Sequence, residues 1–261
     1  MADPVDAGRL SRLVWRRVNA RAQLGLAAGV VAGLLGSVLL SERGAGWLSA
    51  PAALALALVG WAAGLALLVP GRLRRAAEAL LWTSFESRDR ARSELGEGFV
   101  PAGPREAALW LRRHPLEPRT ARHRVAALLM AGDLDAARRE ADALPEPTPL
   151  AAFEAEVARG VVALAAGRAP DLAAAMARAG SLTDPADRDH AERALLSMEA
   201  MRAVAERRDP LPVLGKLRAQ LGERARGILW TRYWLPLAAV LSAVAVLIWA
   251  VLALAGPLLL R

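Results

Sequence analysis

Residues 127–145 read ALLMAGDLDAARREADALP, and their reading decides the fold. Apolar residues at helical spacing on both sides of Gly132-Asp133 describe two short helices, at about 119–131 and 133–144, folded back as a hairpin. The second half, AGDLDAARREADALP at 131–145, has the look of a soluble hairpin that holds a partner protein. The chain as a whole is rich in Ala, Leu and Gly and poor in the aromatic and β-branched residues that favour strands. An all-α fold is expected.

The surroundings of that hairpin are not those of an ordinary soluble domain. Hydrophobic residues make up 55% of the 261 residues. There is no Cys, which excludes disulfides, thiolate metal sites and Cys nucleophiles. Lys216 is the only Lys, a bias that reads as that of a GC-rich bacterial genome. The net charge of +8 invites a nucleic-acid function, but its distribution argues otherwise. Residues 1–21 carry five Arg against two acids, residues 72–124 twelve against seven, and residues 202–232 eight basic against three acidic groups. Residues 133–199 are acidic, with seven Arg against thirteen acids. A nucleic-acid binder concentrates positive charge on its folded module. Here the positive charge flanks apolar runs.

Those runs are three. Twenty uncharged residues separate Arg21 from Glu42, twenty-eight separate Arg43 from Arg72, and twenty-eight separate Arg232 from Arg261. A helix of about twenty residues covers the roughly 30 Å of a bilayer's hydrocarbon. Three transmembrane helices are therefore expected, at 22–41, 47–70 and 233–256. Trp47 opens the second, and Trp230, Tyr233 and Trp234 open the third, where amphipathic rings sit at headgroup level. The first run lacks a small-x-small cleavage site and reads as a retained helix, not a signal peptide. Arg flanks place both ends of the first hairpin, and the segment before the third span, in the cytoplasm. The expected topology is a multi-pass protein of a bacterial inner membrane, N-terminus inside and C-terminus outside. Gly25, Gly29 and Gly33 share one face of the first span, and Gly60 and Gly64 repeat the spacing in the second. Such faces let helices approach closely, within the hairpin or in a homo- or hetero-oligomer. The basic segment 1–21 places Leu10, Leu13, Val14 and Val18 on one face. It reads as a helix on the anionic lipids of the inner leaflet or as a plain positive-inside flank.

Between the second and third spans, residues 72–227 form the expected cytoplasmic domain. A helix resumes after Pro70-Gly71 and runs to about Leu95, followed by the loop GEGFVPAGP at 96–104. Further helices are expected at about 105–114, 150–166, 170–179, 185–207 and 210–222. The stretch 127–145 resembles the heart of a tetratricopeptide repeat. Gly132, Asp133, Ala137 and Pro149 match that family's turn, small-residue and closing-proline positions. Thirty-five residues on, Gly167 opens the same turn in VVALAAGRAPDLAAAMARAG, and AVAERRDPLPVLGKLRAQLG at 203–222 is a further copy. PREAALWLRRHP at 104–115 looks like a lone second helix of an earlier unit. The resemblance, covering about 105–222, implies stacked hairpins whose curved surface binds peptides or helices of other proteins. A generic array of helical hairpins would carry the same turns. The acidic middle suggests a basic partner segment or a solvated face.

Chemistry is sparse. His114 sits at a helix end, and His123 lies among Arg119, Arg122 and Arg124. His190 follows Asp184, Asp187 and Asp189, and Asp187 and His190 would share a helix face as metal ligands can. Asp184 as an N-cap, Pro185 in the first turn and Asp187 near the positive helix end account for the same residues. No HExxH, GxSxG or phosphate-binding loop occurs. The sequence therefore predicts no catalytic, metal or cofactor site. The expectation is a membrane-anchored adaptor or scaffold. The alternative is a non-catalytic subunit of a transport or export complex whose Gly faces pack against another spanning protein.

Overall fold

The structure, a computed structural model, describes residues 7–42, 49–96, 103–117 and 120–229 and a few isolated positions from 231 to 243. Among the described residues every regular element is helical. The helices are α1 (Ala7–Glu42), α2 (Ser49–Ala63), α3 (Gly71–Leu95), α4 (Pro104–Arg113), α5 (Ala121–Ala131), α6 (Leu134–Asp142), α7 (Pro149–Ala165), α8 (Leu172–Gly180), α9 (Pro185–Ala205) and α10 (Leu211–Leu221). The seven helices expected between 105 and 222 all form, with ends within two residues of expectation.

The chain divides into two compact units. One comprises Ala79–Arg224 with the start of the chain as far as Leu13, and the other Val14–Glu78 with Ala225–Arg261. α1 runs unbroken through residues 21 and 22, and α3 begins at Gly71.

In the first unit the helices pack as successive hairpins. α5 pairs with α6, α7 with α8 and α9 with α10. The first helix of each pair also touches the first helix of the next, α5 on α7 and α7 on α9, and α4 packs on α5. Small side chains make the contacts close. Val125 and Leu128 of α5 meet Ala137 and Ala141 of α6 and Val162 of α7. Phe153 of α7 meets Leu182 and Ala191. Side chains cap the starts of α6, α7 and α8. Asp133 accepts from the Ala136 N–H at 3.0 Å, Thr148 from Ala151 at 3.1 Å, and Asp171 from Ala174 at 2.9 Å. Pro149, matched above to a repeat-closing proline, instead opens α7 in its first turn.

The second unit holds the glycine faces. A Cβ built on Gly25 would lie 2.4 Å from Gly64 Cα, and one on Gly60 would lie 2.5 Å from Gly29 Cα. Gly33 meets the Ala53 backbone in the same way. These three approaches hold α1 and α2 backbone to backbone. The faces proposed to receive another spanning chain are thus occupied within this one.

One span expectation changes. Among the described residues one helix, within Gly8–Gly36, is long and apolar enough to cross a membrane, and 28% of its most apolar stretch is buried. Leu24, Val31, Leu34, Leu35, Val38 and Leu39 are exposed on it. The second run does not give one long α-helix. α2 covers 15 residues, about 22 Å, and the backbone then widens into a π-helical turn, Gly64–Leu68. Val69 is extended (φ −83°, ψ 109°), as the residue before a proline is driven to be. The third run, 233–256, lies outside the described residues apart from isolated positions, as do Trp47, Trp230, Tyr233 and the link at 43–48. At the other end, Leu10, Val14 and Val18 are buried within the protein.

Candidate functional site

The helix ends that build the hairpins share one hydrogen-bond pattern. After α5, Gly132 N–H donates to Leu129 C=O at 3.2 Å and Asp133 N–H to Leu128 C=O at 3.0 Å. After α7, Gly167 donates to Leu164 at 3.0 Å and Arg168 to Ala163 at 2.8 Å. After α9, Arg207 donates to Val204 at 3.1 Å and Arg208 to Ala203 at 2.7 Å. All three are left-handed stops that satisfy the last helix carbonyls, with φ of +83° at Gly132, +70° at Gly167 and +57° at Arg207. The first two are the glycines expected from the sequence. The third falls within the copy read at 203–222, at an Arg in the conformation that usually selects Gly. Ala137, the expected small residue, is fully buried in the α5–α6 contact.

These stops bring α5, α7 and α9 side by side, and α3 lies along them. Three rungs join α3 to the array. Glu86 accepts from Arg193 of α9 at 2.9 Å. Arg90 donates to Glu154 of α7 at 2.8 Å and contacts both ring nitrogens of His190 of α9, at 3.2 and 3.3 Å. Glu94 pairs with His123 of α5 at 2.9 Å and with Arg122 at 3.3 Å. Arg122 also donates to Glu154, and Arg193 to Asp189.

Glu154 is the centre of this cluster. Its side chain is 11% exposed. Burial pushes its carboxyl up, but the His190 hydrogen bond and the charges of Arg122 and Arg90 outweigh burial and hold it below the usual carboxylate range. A half-open cleft of about 310 Å³ adjoins the cluster, bordered by Arg90, Glu154 and the apolar side chains of Trp110, Met130, Phe153 and Val157. The arrangement offers alternating charge over an apolar floor. That suits recognition of an amphipathic segment.

The histidines are thereby explained. His123 and His190 face carboxylates of the cluster, and His114 stacks on Trp110 with ring centroids 4.3 Å apart. Asp184 caps α9 by accepting from Ala186 N–H at 2.7 Å, and Asp187 lies in the helix's first turn. Among the described residues no group of three or more His, Asp or Glu is placed to hold a metal. The cluster itself was not anticipated, since its rungs join residues 28 to 107 positions apart. A signal was available. Glu86, Arg90 and Glu94 alternate in charge at four-residue spacing, which is one helix face.

Comparison of the chain with protein-family models, curated proteins and solved structures gives no match.

Proposed function

We propose that this protein is a membrane-anchored adaptor whose hairpin array, in the manner of a tetratricopeptide domain, docks a helical segment of another protein. The observation that carries the reading is the threefold left-handed stop at 132, 167 and 207, which sets α5, α7 and α9 side by side under one polar, half-open face. The exposed apolar surface of α1 supports anchoring in a bilayer. The flanking arginines support three spans with the array in the cytoplasm of a bacterium and the C-terminus outside. In this reading the chain performs no catalysis and needs no cofactor. The reading of a transport subunit recruited through glycine faces loses its support, since those faces meet one another.

The test is co-purification of the full-length protein in mild detergent, with mass spectrometry of what accompanies it. Met130 and Arg122 are partly exposed at the cleft. Met130→Glu with Arg122→Glu is expected to remove a soluble partner while leaving the protein in the membrane. Retention of every companion by that variant would sink the adaptor reading.

A further inference from the structure

α3 has the geometry of a bound ligand. It presents Glu86, Arg90 and Glu94, and the array answers with Arg193, then Glu154, then Arg122 and His123. Acid, base and acid on one helix face meet base, acid and base on the first helices of three successive hairpins. The fit is electrostatic and incomplete. Where α3 borders the cleft it contributes Ser87, Arg90 and Glu94, all polar, above Met130, Phe153 and Val157. Ser87 is exposed, and its hydroxyl donates to Thr83 C=O of its own helix at 2.8 Å. Trp110 Nε1, at the same cleft, is buried without an acceptor. The rungs themselves are half-open to water, with side-chain exposures of 35% for Glu86, 36% for Arg90 and 38% for Arg122, so each is individually weak.

We infer that α3 occupies the docking face in cis and that the partner is a helix of the same register. That helix carries an acid, a base and an acid at four-residue intervals, and a bulky aliphatic side chain where α3 has Ser87. It matches the three rungs that α3 matches, and it fills the apolar cleft that α3 leaves open. It therefore displaces α3. Docking and release of α3 are one event, and α3 leads directly from the segment that ends at Val69-Pro70. This inference rests on the adaptor reading for the partner's existence, but not for the occupancy of the face.

The test uses the full-length protein in detergent and two fluorescent peptides, residues 79–96 of the chain itself and the same peptide with Ser87→Leu. Wild-type protein should bind the first weakly, because α3 is already in place. Protein carrying Glu86→Lys, Arg90→Glu and Glu94→Lys keeps the array intact and frees its face. It should bind the first peptide at least tenfold more tightly than wild type does. The Ser87→Leu peptide should bind tighter still. Equal binding to wild-type and triple-variant protein overturns the inference. Should the triple variant not fold, Ser87→Leu in the full-length chain decides. It should raise the melting temperature and weaken peptide binding at least threefold, and no change in either overturns the inference. A wild-type dimer that the triple variant loses would mean that α3 is exchanged between copies, which also overturns occupancy in cis. The two readings fail separately. Tenfold gain in peptide binding with no cellular partner lost from the Met130/Arg122 variant ends the adaptor reading alone. A partner lost from that variant with no gain in peptide binding ends the cis occupancy alone.

Discussion

Glu154 shows how one residue settles its surroundings. It is nearly buried, and two guanidinium groups and His190 converge on it. Its carboxyl is held low, so the native state favours the charged form more than the unfolded chain does. The stability this supplies is complete above the ordinary glutamate range, about pH 4.3, and is lost as pH falls through the lower native value. Glu154→Gln should cost about 1–2 kcal/mol at neutral pH and flatten the acid limb of a melting-temperature profile. Arg207 makes the opposite case. Its φ of +57° is adopted against the ordinary preference of an L-residue. Arg207→Gly should stabilise the protein by about 0.5–1 kcal/mol in denaturant melts, whereas Gly167→Ala should destabilise by about 1 kcal/mol. A sequence reader finds Gly132 and Gly167 because glycine announces the left-handed region. Arg207 announces nothing, so the third copy at 203–222 was legible while its turn residue was not.

Among the elements, legibility followed punctuation. The seven helices from α4 to α10 were readable because Gly, Pro, Asp and Thr mark their ends, and those marks act locally. Charge and hydropathy were poorer guides to continuity. α1 runs for 36 residues through the change from basic to apolar composition, since nothing in 7–42 breaks a helix. The second apolar run looked long enough to span, yet Pro70 acts backwards on Val69 and the last turn of the run widens. The glycine faces make a sharp prediction. At Gly29 a side chain would meet backbone atoms of Leu56, Gly60 and Ala57 at 2.5–3.0 Å, and backbone cannot swing aside. Gly36 would meet only Leu56 Cδ1, at 3.4 Å. Gly29→Leu should therefore cost about 3 kcal/mol or more, and Gly36→Leu much less, in thermal melts of the detergent-solubilised protein. Equal effects would mean that α1 and α2 do not meet through Gly29.

At the scale of the whole molecule, charge distribution indicated which regions belong together, but not which groups do. Residues 72–124 are net positive and 133–199 net negative, and the rungs from α3 and α5 to α7 and α9 join these two regions. The acidic middle is thus partly matched by basic groups of this same chain. Topology can be tested cleanly, because the chain has no Cys. A single Cys in place of Thr148, outside the cleft, should resist a membrane-impermeant maleimide in intact cells and react once the cells are opened. Labelling in intact cells would place the array outside.

The spacing of the rungs along the chain sets an order of assembly during synthesis. α3 leaves the ribosome before any of its partners. Glu94 meets α5 across 28 residues, Arg90 meets α7 across 64, and Glu86 meets Arg193 of α9 only across 107. The hairpins need only neighbours and fold as they emerge, since contacts close in sequence form fast. The seam between α3 and the array therefore closes from the C-terminal end of α3 toward its N-terminal end, one hairpin at a time. A chain halted after α7 would be fastened at two rungs and still open at the third.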